Sequence, residues 1–532
     1  MKEFETIIND AFIRHEKKKI VMIYPPTGSI TDYNTPTGTL YVATYLQKNG
    51  YNIKFIDCSV EENWHEMVLD EVKDAFIFGS YCMSIHIKHL LPLLEEIKTI
   101  NPSIKTVLGG AHPTLFPEQT AADPLVDFVV RGEGEGTMLE LADFVYRGET
   151  DYSKVKGITY KKFKDSEING NDYHNMISSK NFAGVVHSTP ERDFMDMETL
   201  PFVNWGFLSQ KALDSMKVRI SRIQTSRGCP FKCTFCINVI SKNRKMRYRS
   251  PGRILDEMED MIKKYGVNRF GVRDEVFLTN REQVRGFAQG IIDRGLKVTW
   301  FANPHIKFTR EVWVDDEYME LLVRSGCNKL QCGGESGSQR VLDMLQKTIT
   351  PEDILNFVKR AKKYNIVPNV AFMTGLPTET RAEQLETLKL IWQILEVEPK
   401  SFINGAALFR PYPGGELYEQ CVRDYNLQMP TTFRGWMNVE TIGGTKPPWV
   451  KDLYFSQNLW MHTAFARYEK LGQLKGICKK IYDKYGLFAS VAAYVWGKVS
   501  YYRLKYNYYD YLIDFRIIQA YWHYRDEIPE LS

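Results

Sequence analysis

Two stretches of the chain alternate short apolar, β-rich runs with amphipathic helical patterns. In the first, apolar runs at residues 20–24, 53–57, 75–79, 106–109 and 128–130 are separated by helical periodicity, as over 38–48 and 86–97. In the second, runs at 218–225, 268–273, 297–302, 328–333, 367–374 and 402–409 alternate with helices that carry clear start signals. Ser250-Pro251 and Thr350-Pro351 each read as N-cap followed by first helical position. Behind Ser250, the residues Ile254, Leu255, Met258, Met261 and Ile262 recur at helical spacing, so one helix face packs on a sheet. The pattern predicts an α/β protein. An open doubly wound, Rossmann-like sheet over 18–148 is followed by a connector over 149–210. A partial (β/α)6 barrel of parallel strands spans 211–430, and a mainly helical, aromatic-rich region spans 431–532.

In both kinds of sheet, ligands bind beyond the C-terminal ends of the strands. Just past the first barrel strand lies Cys229-Pro-Phe-Lys-Cys233-Thr-Phe-Cys236, a C-x3-C-x2-C spacing without a fourth cysteine nearby. Three thiolates so placed hold three irons of a four-iron cluster and leave one iron open, whereas an electron-transfer cluster is closed by four ligands. A structural zinc site wants four ligands, and the next cysteines are Cys327 and Cys332. A disulfide framework belongs to an oxidising compartment. The cysteines therefore read as catalytic residues and metal ligands in one.

Bulk properties bound the remainder. Net charge is +4, which gives no case for nucleic acid. The charged N-terminus has no apolar stretch behind it, so no secretory signal is expected, and nine cysteines fit a reducing cytoplasm. The longest charge-free apolar run, residues 486–497, falls short of the ~20 residues that span a bilayer.

Further motifs sit in register with the strands, and with them the second stretch resembles the radical S-adenosylmethionine (SAM) superfamily. They are Arg227-Gly228 before the cysteines, Asp274-Glu275 after the second barrel strand, Gly333-Gly-Glu335-Ser336-Gly337 after the fourth, the segment 372–379 around Gly375, and Pro411-Tyr-Pro-Gly-Gly415. The resemblance implies a [4Fe-4S] cluster on Cys229, Cys233 and Cys236. It implies SAM contacts from Asp274, Glu275, Gly334, Glu335, Ser336 and Gly375. Arg249, in the basic run 242–249, is a candidate partner for the methionine carboxylate. Each motif also has a plain reading: glycines that serve turns, acids that cap helices, and a solvated basic face.

The first stretch resembles the cobalamin-binding domain found ahead of many radical SAM enzymes, through Gly109-Gly110-Ala-His112-Pro-Thr114 and Arg131-Gly-Glu133-Gly-Glu135. The resemblance assigns a corrin site to loops at the sheet's C-terminal edge, with Pro26, Thr37, Gly38, Ser80, Tyr81, Gly110, His112 and Glu133 as candidates. The D-x-H-x-x-G motif that ligates cobalt is absent, since Asp57 is followed by Cys58-Ser-Val, so cobalamin is expected without a histidine lower ligand. A degenerate domain without cofactor is the plain alternative.

The group that the two resemblances define contains methylases and the anaerobic Mg-protoporphyrin monomethyl ester oxidative cyclase. It implies a cytoplasmic, oxygen-sensitive enzyme served by an external donor such as flavodoxin or ferredoxin. Methylation of an unactivated carbon of a small or lipid-like substrate is the first expectation. Radical oxidation or cyclisation of an apolar substrate is the second, and an iron–sulfur/cobalamin redox sensor is the non-enzyme alternative. The aromatic tail reads as a helical cap, as a wall for a large apolar substrate, or as a face on a membrane.

Overall fold

The apolar runs become two separate sheets in the computed structural model, which describes residues 17–26, 35–162, 185–218, 221–236, 238, 245–438 and 447–516. Residues 242–244 of the basic run and the end of the aromatic-rich region beyond residue 516 lie outside these. The chain divides into two units, Met1–Arg219 with Met429–Gly444, and Ile220–Gln428 with Thr445–Ser532.

In the first unit, β1 (Lys17–Tyr24), β2 (Tyr51–Asp57), β3 (Ile77–Tyr81), β4 (Lys105–Gly109) and β5 (Phe128–Val130) lie parallel in the order β2-β1-β3-β4-β5. The order reverses between β1 and β3, the switch point at which such sheets take ligands. β6 (Ile158–Lys162) and β7 (Val185–Ser188), from the stretch expected to be a connector, extend the sheet antiparallel. One face buries Val21, Ile23 and Phe78 against Leu90, Leu91, Leu94 and Ile97 of the helix Ile87–Ile100.

That same core takes in Phe433 and Trp436, which come from far along the chain. The segment Arg434–Asn438 packs beside the helix Ile87–Ile100. The Trp436 indole donates to Gln119 Oε1 at 2.6 Å, and Arg434 pairs with Asp123 at 2.8 Å and Glu95 at 3.1 Å. Sequence periodicity assigns these residues to the tail, because a sixteen-residue return carries no repeat of its own to read.

In the second unit, β8 (Ser221–Ile223), β11 (Arg269–Val272), β12 (Thr299–Ala302), β13 (Cys327–Glu335), β14 (Val367–Thr374) and β15 (Phe402–Leu408) form one parallel sheet in chain order. Between β8 and β11, the short pair β9 (Ser226–Arg227) and β10 (Arg247–Tyr248) is antiparallel. The helices obey their start signals. Ser250 Oγ accepts from Arg253 N, and Thr350 forms a reciprocal capping box with Asp353. The helix Pro251–Tyr265 buries Ile254, Leu255, Met258 and Met261 and ends on Gly266 at φ +65°. β8 is shorter than its apolar run, because Val218 closes the helix Gln210–Val218. β13 is longer, running through both glycines to Glu335. Three helices, Leu453–Lys470, Leu474–Tyr485 and Leu487–Tyr506, build a second small core around Phe465 and Trp496.

Trp436→Ala empties a buried site and frees the Gln119 amide, so the first unit loses about 3–5 kcal/mol. Urea unfolding followed by a probe in that unit measures it; a loss below 1 kcal/mol means the return segment is decoration.

Candidate active site

The cysteine loop leaves the barrel sheet under strong local constraint. Asp274, 6% exposed just past β11, accepts from Thr225 N (2.8 Å), Ser226 Oγ (2.6 Å) and Thr225 Oγ1. Burial pushes its pKa up, and these hydrogen bonds oppose the rise. Three acceptances from Thr225 and Ser226 make Asp274 hold the stem of the loop, a positioning part beside its expected place near SAM. Its neighbour Glu275 does face the loop, accepting from Gly228 N at 3.2 Å. Burial raises the Glu275 carboxyl as well.

Arg227, in β9, and Arg247, in β10, pair across the hairpin and fix both ends of residues 228–246. Gly228, at φ +99°, passes so close to Lys245 O that a Cβ would stand 2.6 Å from it, which requires glycine there. Arg249 is 3% exposed and pairs with the equally buried Glu257 at 2.6 Å, and it also donates to Gln224 O at 2.9 Å. The expectation that it binds a carboxylate is corrected accordingly: a buried guanidinium between Glu257 and a carbonyl is a brace for the helix after the loop.

Cys233 is buried and Cys229 and Cys236 are partly exposed. Burial pushes the Cys233 thiol up to about 11 and raises Cys229, while Lys347 pulls both down. Cys229 and Cys236 each raise Cys233 across the loop, while among the described residues no three side chains stand close enough together to hold a metal ion as they are placed. Asn238 N donates to Cys236 Sγ at 3.4 Å. Thr234 pins the loop twice, through its N–H to Leu345 O and its hydroxyl to Met344 O, each at 3.2 Å. That contact delivers Lys347 to the cysteines.

Lys347, which belongs to none of the sequence motifs, is 7% exposed and pairs with Glu335 at 2.9 Å. Burial pulls its pKa down, but Glu335 and Cys233 more than restore it, so it stays charged. Glu335 sits at φ +65° where β13 slips register against β14, a strained conformation for a side chain of this size. The preceding Gly333 explains how. A Cβ there would lie 2.0 Å from Glu335 Oε1 and 2.8 Å from Lys347 Nζ, so the glycine makes room for the ion pair. Gly334 is packed against Val370 in the same way. Ser336 Oγ bonds Thr387 Oγ1 at 3.2 Å and receives Ser338 N at 3.1 Å, so it ties the turn rather than facing a ligand.

Past β12, His305 stacks on Phe231 of the cysteine loop at 3.9 Å with 14° between the rings. Burial drives its pKa down to about 3, so it is neutral. A lone Asn-Pro-His at a strand end carries no spacing signal, and only its place in the register marks it. Past β14, Gly375 takes φ +67° and donates to Glu379 at 2.6 Å, while its carbonyl receives the Trp449 indole at 2.8 Å. Burial raises the Glu379 carboxyl to about 7, against hydrogen bonds from Leu376 and Gly375 N–H. Cys229, Cys233, Cys236, Glu275, Glu335 and Gly375 thus all lie at the C-terminal ends of one sheet. Three thiols in one loop, beside a buried charged lysine and without a fourth thiol, suit a cluster with an open iron.

At the first unit's switch point, the Tyr24 and Tyr81 rings stack at 5.7 Å and 18°, with His86 edge-on to both. Gly110, at φ +102°, admits the Tyr81 ring, which a Cβ would meet at 2.5 Å. Ser80 Oγ donates to its neighbour's carbonyl, and Gly38 and Gly132 have open space where a Cβ would be. Thr114 Oγ1 accepts from Gly132 N and joins the loops that hold Gly110 and Glu133. Pro26, Thr37 and Gly38 complete this edge. His112 does not belong with them. It is 1% exposed, bonded to Ser84 Oγ at 3.0 Å, and packed on Phe116, Phe433 and Trp436 at 5.0–5.5 Å. Its expected role in cofactor binding is corrected to a core role, with burial holding its pKa near 3. A stacked tyrosine pair beside open glycines, with His86 and His112 both buried, suits a planar corrin without a histidine ligand.

Lys347→Met strands the Glu335 carboxylate and costs about 3–5 kcal/mol in thermal or urea unfolding, and Lys347→Met/Glu335→Gln recovers most of it. Equal stability of the single and double variants contradicts the ion pair. The raised Glu379 carboxyl predicts a pH effect. From its ordinary value of 4.5 up to about 7 the unfolded state loses this proton first, so stability falls as pH rises and levels off above pH 7. Glu379→Gln removes that slope, a difference of about 3 kcal/mol; parallel pH profiles for the two proteins contradict it.

Comparison with known proteins finds both domains. A family model described as the radical SAM superfamily matches residues 223–391, and one described as a B12 binding domain matches residues 26–142. The chain is 27% identical over 433 residues to an uncharacterized methyltransferase of Pyrococcus horikoshii, covering 80% of this chain and 87% of that protein. It is 28% identical over 394 residues to the anaerobic magnesium-protoporphyrin IX monomethyl ester cyclase of Rubrivivax gelatinosus, covering 72% of this chain and 66% of that protein. It is 26% identical over 431 residues to cytidylyl-2-hydroxyethylphosphonate methyltransferase of Streptomyces wedmorensis, covering 73% and 78%. Among solved structures, the cobalamin-dependent SAM radical enzyme OxsB superposes with a TM-score of 0.67 at 15% identity, covering 96% of this chain and 76% of OxsB. The methyltransferase TsrM of Kitasatospora setae superposes with a TM-score of 0.59 at 16% identity, covering 77% and 76%. With a B12-binding domain ahead of a radical SAM domain, the chain belongs to the cobalamin-binding radical SAM enzymes.

Proposed function

We propose that this protein methylates an unactivated carbon of a small-molecule or lipid-like substrate. The observation that carries the reading is the joint presence of a three-thiol loop at one sheet's C-terminal edge and, at the other's switch point, a glycine-lined edge beside a stacked tyrosine pair. Two of the relatives named above are methyltransferases, which supports transfer of a methyl group over other outcomes. A bound cluster with SAM supplies the one-electron chemistry that opens a C–H bond, and cobalamin supplies the methyl group.

The chain's own residues do the placing. Cys229, Cys233 and Cys236 hold the cluster, Asp274 fixes the loop's stem, and Glu275 presents a carboxylate beside it. Lys347 keeps a positive charge beneath Cys233, which favours thiolate over thiol as the ligands deprotonate. Tyr81, half-buried and backed by the buried Tyr24, lines the corrin edge, with Gly110 letting its ring approach. An external flavodoxin- or ferredoxin-type donor and a cytoplasmic setting complete this proposal. Radical oxidation or cyclisation is the second reading, favoured by the 28% identity to the cyclase.

Anaerobically reconstituted protein with cobalamin, reductant and methyl-deuterated SAM is expected to add a labelled methyl group to a component of an apolar metabolite extract, read by mass spectrometry. A product that loses hydrogens without gaining label supports the second reading instead. Reductant-dependent 5′-deoxyadenosine release, abolished in Cys233→Ala, is expected in either case, and its absence from the parent protein leaves only a sensor.

A further inference from the structure

The helix Leu487–Tyr506 uses only one side to build the unit. Ala489, Ala493, Trp496, Gly497, Ser500 and Leu504 are buried. On the other side Phe488, Val491, Val495, Tyr502 and Tyr506 are exposed, Phe488 to 88%. Their spacing of three, four, seven and four residues places all five within one narrow stripe along the helix. The stripe does not stand alone. More than half of the exposed large apolar side chains among the described residues lie between Tyr482 and Ile513. A monomeric protein rarely leaves such a contiguous patch without a partner.

Charge indicates what kind of partner. Between Leu474 and Arg516 there are eight Lys and Arg against three Asp and Glu, an excess of five in a chain whose total is +4. The rest of the molecule is therefore almost neutral, and its positive charge is concentrated where its apolar side chains are exposed. Lys498 and Arg503 are paired with Glu469 and Asp514. Lys475, Lys479 and Lys480 are exposed and form no ion pair with a described residue. Lys475, Lys479 and the exposed Tyr482 share a face of the helix Leu474–Tyr485.

A second copy of this chain pairing through this segment would bring together two regions that each carry an excess of five positive charges, which opposes it. An anionic lipid surface meets both features, with lysines at the headgroups and aromatic and branched side chains at the acyl boundary. No helix among the described residues is long and apolar enough to cross a membrane, so the contact is one of lying on the surface. We propose that the helix Leu487–Tyr506, with the lysines of Leu474–Tyr485, docks this protein on anionic bilayers. This stands apart from the reaction proposed above and survives its failure.

The test is co-sedimentation of the full chain with phosphatidylcholine vesicles, with and without about 30% phosphatidylglycerol. The expected result is binding to the anionic vesicles only, weakened at least about tenfold by Lys475→Glu/Lys479→Glu/Lys480→Glu and by Phe488→Ser/Val495→Ser. Melting temperatures within about 3 °C of the parent establish that these exposed substitutions leave the fold intact. No binding by the parent chain, or undiminished binding by both variants, overturns the proposal. A dimer in sedimentation velocity that Phe488→Ser/Val495→Ser dissociates, without vesicle binding, overturns it in favour of a second copy.

Discussion

The barrel site depends on one buried carboxylate. Asp274 gathers a main-chain N–H and two hydroxyls from the two residues that precede the cysteine loop. Paying for desolvation of that carboxyl is worthwhile only if the donors stay in place, so the pairing is reciprocal: the acid is stable because the stem is ordered, and the stem is ordered because the acid is there. Everything further out inherits this geometry. Gly228 can then approach Lys245, Glu275 can reach Gly228, and the thiols arrive beside Lys347.

A second buried pair, Glu335 with Lys347, acts from the other side. Its room comes from an absent side chain at Gly333, and its backbone cost is taken at Glu335 itself. The two acids illustrate different uses of burial. Asp274 is satisfied by neutral donors and serves as a fastener. Glu335 is satisfied by a cation and leaves a fixed charge next to ligands that must themselves become anionic.

Much of this was legible in the sequence. The alternation of runs specified both sheets, the N-cap signals specified helix starts, and the cysteine spacing specified the cluster loop. What was not legible is which polar group turns toward which partner. Asp274-Glu275 reads as a pair of equivalent acids, yet one faces the stem and the other the loop. Arg249 reads as a free cation in a basic run, although Glu257, eight residues later, claims it through a helix turn whose polar residue looked solvated. Lys347 and His305 carry no spacing at all, because their roles arise from tertiary register. His112 shows the converse: a motif histidine whose conspicuous chemistry is silenced by aromatic neighbours, two of which lie over three hundred residues downstream.

That last contact bears on how such a protein is inherited. The first unit is built from two separate lengths of chain, the second of which follows the whole barrel sheet. A B12-binding module that ended before the cysteines would be a contiguous cassette, free to be shuffled ahead of other catalytic domains. Here Phe433 and Trp436 are part of its core, so a recombination between the two domains strips the module of its own interior. The chain has stitched its cofactor modules together covalently at both ends, and they are obliged to diverge as a single piece.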